Sequence, residues 1–146
     1  MNLVKQQLQS ALMQLLKEGQ RVAVPAHGMS MYPLLRPGDT LLVEPRPPLI
    51  GDIGVFYHNG LLVAHRLLHQ KGNIYYFKGD GLIMPDAPVE SGKVLGTVTQ
   101  CTRKNRAISC NTFSFRLFKR FIPYTHAFSG RLFFYLGRIS LRLQNK

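Results

Sequence analysis

Apolar residues at positions 3, 4, 8, 11, 12, 15 and 16 recur at the spacing of one helical face, with Lys5, Gln6, Gln9, Gln14 and Lys17 around the rest. This pattern predicts one amphipathic helix of about four turns, stopped at Gly19. Its polar face is mostly glutamine, so it is expected to pack on the protein rather than lie on a membrane. From position 21 the pattern changes to short apolar runs broken by proline and glycine. Strands are predicted over residues 21–25, 39–44, 53–57, 61–68, 73–78, 94–103 and 106–110. Asn59-Gly60 marks a two-residue hairpin, and Lys71-Gly72 a second turn. The fold class is mainly β, a coiled antiparallel sheet or small barrel. After Asn111 helical spacing returns, with Phe113, Phe115, Leu117, Phe118, Phe121 and Ile122 among Arg116, Lys119 and Arg120. Pro123 predicts a break, followed by a second helix over residues 128–143. The expected organisation is an N-terminal helix over 1–20, a β domain over 21–110 and a basic, aromatic-rich helical tail over 111–146.

Charge divides the chain differently from hydropathy. The 146 residues suffice for one domain with a modest core, and 45% hydrophobic content excludes disorder throughout. The net charge is +12, yet all seven acidic residues lie at or before Glu90. Eight lysines and arginines share that stretch; the remaining eleven follow it with no acid among them. Such asymmetry suggests two jobs, the second half meeting a polyanion or an anionic membrane surface. The alternative is that the tail's apolar face packs on the sheet while its arginines are solvated. Nucleic acid is disfavoured as partner, because it accounts for the charge but not for the phenylalanines. Residues 1–20 have no continuous apolar core of a signal peptide, and no run reaches the ~18 apolar residues of a membrane span. A cytoplasmic location is expected, with peripheral membrane contact through residues 111–146 as the extension of it. Cys101 and Cys110 match no zinc spacing; they flank a predicted turn where a disulfide is conceivable, and free thiols are the expectation.

Candidate chemistry is concentrated in three places. Gly28-Met29-Ser30-Met31-Tyr32-Pro33 puts a lone serine at a turn between strands. His65 lies in the run Leu61-Leu62-Val63-Ala64-His65-Arg66, and Asp80 and Asp86 lie in the segment from Lys78-Gly79-Asp80 to Pro85-Asp86. A serine hydroxyl is a poor nucleophile until a base takes its proton during attack, and a carboxylate commonly orients that base. Gly28 permits a tight turn and close approach of a substrate backbone, Pro33 fixes the exit, and the Ser30 amide is available to an oxyanion. Met29 and Met31 can line a cleft or fill core. His69 shares the predicted strand face of His65 and is the rival base. Asp39 and Asp52 follow glycines in turns, where a turn-stabilising hydrogen bond is expected. Arg66 is expected to point away from His65.

The serine block is followed by Leu34-Leu35-Arg36-Pro37-Gly38-Asp39-Thr40-Leu41-Leu42-Val43-Glu44, then Gly51-Asp52-Ile53-Gly54-Val55-Phe56, then His65-Arg66, then Lys78-Gly79-Asp80. This ordered set, spanning about residues 22–99, resembles the type I signal peptidases and the related LexA-like self-cleaving repressors. His65 stands where the bacterial enzymes and the repressors have a lysine, so the closest resemblance is to the endoplasmic-reticulum-type Ser/His branch. Gly81 and Leu82 replace two asparagines of that branch. The resemblance implies Ser30 as nucleophile, His65 as base, Asp86 as orienting acid and Asp80 as a supporting acid, without metal or cofactor. It implies a serine endopeptidase cutting a peptide or leader bond after small residues. A histidine titrates near ~6.5 in water, so an imidazole base suits neutral pH and fails in acid. Two further readings stand beside it: a non-catalytic peptidase-like module held to membrane or nucleic acid by the tail, and self-processing.

Overall fold

A computed structural model describes residues 3–145. The first helix, α1, covers Leu3–Lys17. It closes as the sequence predicts: Gly19 takes φ +83, and the amides of Gly19 and Gln20 donate to the carbonyls of Leu16 and Leu15. That paired closure is the Schellman stop, which glycine adopts without steric penalty. Strands follow as β1 (Val22–Pro25), β2 (Thr40–Glu44), β3 (Ile53–His58), β4 (Leu61–Lys71) and β5 (Ile74–Lys78). They continue as β6 (Val89–Glu90), a short 3-10 turn (Ser91–Lys93), β7 (Val94–Arg103) and β8 (Arg106–Ser109). A single helix, α2 (Phe113–Gln144), ends the described chain.

All pairings are antiparallel, and the sheet is open, in the order β1-β2-β7-β3-β4-β5-β6, with β8 beside the far end of β7. Asn59 and Gly60, both at positive φ, turn β3 into β4 as expected; Lys104 and Asn105 turn β7 into β8. Alternation along the strands sends side chains to two cores. Val55 joins Leu16, Val22, Leu41, Val43 and Val98 on one side, while its neighbour Phe56 joins Leu67, Tyr75, Phe77 and Val89 on the other. The β4–β5 register shifts between Leu67 and His69, which breaks the alternation predicted for 65, 67 and 69.

The C-terminal segment corrects the expected pair of helices. Pro123 lies inside one 32-residue helix, about 48 Å long at 1.5 Å per residue. Proline removes one amide and so frees the carbonyl four residues earlier, at Lys119. That carbonyl lies against Gly51, where a Cβ would collide with it. Phe115, Ile122, Gly130 and Gly137 face the domain and are buried. No described residue covers the opposite face. Phe113, Leu117, Phe121, Tyr124, Phe128, Leu132, Tyr135, Ile139 and Leu143 are all exposed, at successive spacings of 4, 4, 3, 4, 4, 3, 4 and 4. An eleven-residue repeat stays close to one face of an α-helix, so these side chains form a lengthwise stripe. No described helix is both long and apolar enough to cross a membrane.

Candidate active site

Ser30 sits on a loop that leaves β1 and returns into β2. Its base is pinched by the Ala26 amide donating to the Asp39 carbonyl and the Gly38 amide donating to the Ala26 carbonyl. Within it the chain makes a helical turn, with Tyr32 N–H donating to Met29 O and Leu35 N–H to Met31 O. Gly28 enters that turn at φ +77, where a side chain would strain the backbone.

The loop is held from below by the segment after β5. The Gly81 amide donates to the Ser30 carbonyl at 2.9 Å, and the Asp80 amide points at Met31 Sδ at 3.4 Å. A Cβ on Gly79 would collide with the Ser30 carbonyl, and one on Gly81 would lie 2.7 Å from the Met29 carbonyl. Two bare backbones therefore pass in contact, and Gly81 fills a structural need where the resemblance led one to expect asparagine. Sequence reading missed both glycines as site residues; the alternation Gly79-Asp80-Gly81 beside the catalytic-type block was the available signal.

His65 projects from the middle of β4 and is buried, its ring edge-on to Phe56 at 6.1 Å. Its Nδ1 lies 2.6 Å from Asp86 Oδ2. A carboxylate only accepts, so Nδ1 is the donor, and in the neutral ring Nε2 then holds the lone pair. Nε2 has no hydrogen-bond partner among the described residues. Asp86 is itself fixed by its amide, which donates to Phe77 O at 2.9 Å. Ser30 and His65 line one cleft of about 280 Å³ between α1, β1, the serine loop and β4. Its walls are mainly apolar, with Leu12, Val24, Met31, Val55 and Leu62 among them. Gly28 and Met31 face this cleft; Met29 and Pro33 do not. The Met29 methyl instead reaches α2, where a Cβ on Gly137 would lie 3.4 Å away. Gln9 of α1 also lines the cleft, and its amide oxygen is shielded from water with no hydrogen-bond partner among the described residues. No sequence pattern singled it out.

Asp80 is not near the imidazole's hydrogen bonds. Both its oxygens are taken by the Arg66 guanidinium, at 2.7 and 2.5 Å, and Arg66 Nη1 donates to Gly51 O at 2.7 Å. Arg66 and Asp80 are each 1% exposed, and Phe118 of α2 lies 5.9 Å from the guanidinium carbon. Adjacent residues of β4 thus serve opposite faces, His65 the cleft and Arg66 the underside of α2. His69 is exposed and stacked on Tyr76 at 4.2 Å, so it does not join the cleft. His27 lines the cleft mouth, and His58 contacts Asn59.

The turn aspartates carry the expected local bonds and more. Asp39 accepts from the Arg36 amide at 2.9 Å and from two nitrogens of Arg103. Burial alone would raise its carboxyl, but the Arg103 hydrogen bonds and the Arg36 amide outweigh that and hold it below the usual aspartate value. Asp52 accepts from the Leu49 amide and from Lys119 of α2 at 2.6 Å. Lys78 is buried, and its ammonium donates to the His126 carbonyl of α2 at 2.8 Å. Burial lowers its pKa, against the opposing pull of Asp80 and Asp86. His126 is lowered too, by burial first and then by the Lys78 and His69 charges. Cys101 and Cys110 are free thiols.

Comparison with known proteins agrees with this arrangement of loop, sheet and helix. No curated protein gives a significant match. The family described as Peptidase S24-like matches residues 2–99, from α1 through most of β7, which is more than half the chain. The chain belongs to the Peptidase S24-like family and carries its LexA-like, signal-peptidase-like fold.

Proposed function

We propose that the protein is a serine endopeptidase, with Ser30 as nucleophile, His65 as general base and Asp86 as the acid that orients it. The observation that carries this reading is the state of the imidazole: Asp86 occupies Nδ1, while Nε2 is unpaired in the cleft that Ser30 also lines. In the reaction, the Ser30 hydroxyl oxygen attacks a peptide carbonyl as His65 Nε2 takes its proton. The imidazolium then gives that proton to the departing amine, leaving an acyl-enzyme. Water, deprotonated by the same nitrogen, releases the acid product and restores the serine. Asp86 stabilises the transient imidazolium and keeps the ring in its tautomer. The Ser30 amide makes no hydrogen bond to a described residue and is available to the oxyanion. The apolar walls favour an uncharged peptide segment. The histidine at position 65 favours the endoplasmic-reticulum-type branch over the lysine-dependent members. Asp80 has a structural role in this reading, through Arg66.

The test is labelling by a serine-directed acylating probe together with peptide turnover. Ser30→Ala should abolish labelling. His65→Gln and Asp86→Asn should each cut turnover by about 10²–10⁴ while leaving the fold intact by circular dichroism. Equal labelling of wild type and Ser30→Ala, or turnover untouched by His65→Gln, would remove the assignment. A truncated product in purified wild type that Ser30→Ala lacks would identify the chain itself as a substrate.

A further inference from the structure

The exposed stripe on α2 is not spare core. The helix already seats its opposite face on the domain, through Phe115, Ile122, Gly130 and Gly137. The stripe left outside runs the length of the helix, with Tyr124 85% and Phe128 83% exposed. Monomeric soluble proteins seldom show a contiguous apolar patch beyond a few hundred Å² without a partner for it.

Charge identifies the partner. Arg116, Arg120, Arg131, Arg138 and Arg142 each stand three residues after a stripe residue, at Phe113, Leu117, Phe128, Tyr135 and Ile139. Residues three apart are neighbours on a helix, so the arginines form a cationic edge along one side of the stripe. All five are exposed, and α2 has no acid. Near the helix start this edge borders a shallow depression of about 880 Å³, lined by Arg116, Arg120, Ile50, Phe121 and Tyr124. Neither guanidinium has a partner among the described residues. Lys119 also reaches this depression, but Asp52 already pairs with it.

We propose that α2 lies flat on an anionic phospholipid bilayer, its stripe in the headgroup–acyl boundary and its arginine edge on the phosphates, with one headgroup at the Arg116–Arg120 depression. Aromatic and aliphatic side chains beside arginines, on a helix not apolar enough to span, are the chemistry of interfacial binding. A second copy is opposed by its own like charge, since eleven basic residues and no acid follow Glu90. Nucleic acid would engage the edge and leave the stripe in water. This inference stands apart from the peptidase reading, because its readout is binding and not turnover.

The protein has no tryptophan, so Phe128→Trp supplies a single reporter on the stripe. The full chain is mixed with phosphatidylglycerol/phosphatidylcholine vesicles and with phosphatidylcholine vesicles, and followed by flotation and emission. Expected are flotation and a blue shift with the anionic vesicles only, weakened at least tenfold on raising salt from about 0.1 to 0.5 M. Arg116→Glu with Arg120→Glu should weaken binding at least tenfold, and Phe128→Asp likewise, with unchanged melting temperature because all three side chains are exposed. Four results would overturn the proposal: no flotation of wild type; equal binding to neutral vesicles; a dimer in light scattering that Phe128→Asp dissociates; or duplex DNA bound more tightly than vesicles.

Discussion

His65 and Arg66 are chain neighbours with separate duties, and the second is the more sensitive to substitution for stability. Arg66 and Asp80 hold each other in a dry site, with each guanidinium nitrogen and both carboxylate oxygens in a hydrogen bond. Removing one partner leaves a buried charge uncompensated, so Arg66→Leu or Asp80→Asn should each cost about 3–5 kcal/mol in denaturant unfolding. The double variant should cost less than the sum, because no orphan charge remains. The two thiols make a second prediction. Burial pushes Cys101 up, helped by the Asp39 charge, and pushes Cys110 up to about 12. Since the thiolate is the reactive form, both should resist iodoacetamide at pH 8 in the folded protein and react on unfolding. The His65–Asp86 contact and the cleft shared by Ser30 and His65 were foreshadowed in the sequence by ordered blocks that resemble those of a peptidase family. The partner of Asp80 was not, since a carboxylate's choice between two cations depends on which face of β4 each occupies. Gln9 was equally hidden; one glutamine among several on α1 acquires meaning only when the cleft forms beside it.

At the scale of elements, strands were read well wherever apolar alternation met a turn residue. The β7 boundaries match the expected 94–103, and Asn59-Gly60 closes its hairpin. β6 was missed because Val89–Glu90 is too short to show a period. The break expected at Pro123 failed for a tertiary reason: packing along the domain holds α2 continuous, and Gly51 lies against the carbonyl that proline frees. That docking depends on glycines. A Cβ at Gly130 would collide with the Leu82 carbonyl and the Lys78 ammonium. Gly130→Ala should therefore destabilise by about 1–3 kcal/mol. By displacing Leu82, next to the Gly81–Ser30 contact, it should also lower turnover. Gly92 has open space around it and an ordinary backbone, so Gly92→Ala should be neutral or stabilising by less than about 1 kcal/mol. Melting temperatures of the pair separate a packing effect from a generic glycine effect.

For the whole molecule, the uneven charge visible in the sequence turns out to be partly internal wiring. Arg103 clamps Asp39 at the foot of the serine loop, and Lys119 ties α2 to Asp52. Acid should undo the first of these. The Asp39 carboxyl is lower in the folded chain than in the unfolded one, so its stabilisation is complete above the unfolded value of ~3.9 and is lost as pH falls through the folded value. Asp39→Asn should flatten that acid limb of a pH–stability curve measured by urea unfolding. The bare stripe on α2 carries a different consequence, for how the protein behaves in a test tube. Dilute buffer leaves the molecules strongly cationic and mutually repelling, which keeps their greasy ridges apart. At about 1 M salt the repulsion reaches only ~3 Å. Clouding should then begin as ionic strength climbs, the reverse of the salting-in that suits many basic proteins, and a glycerol or mild-detergent additive should clear it.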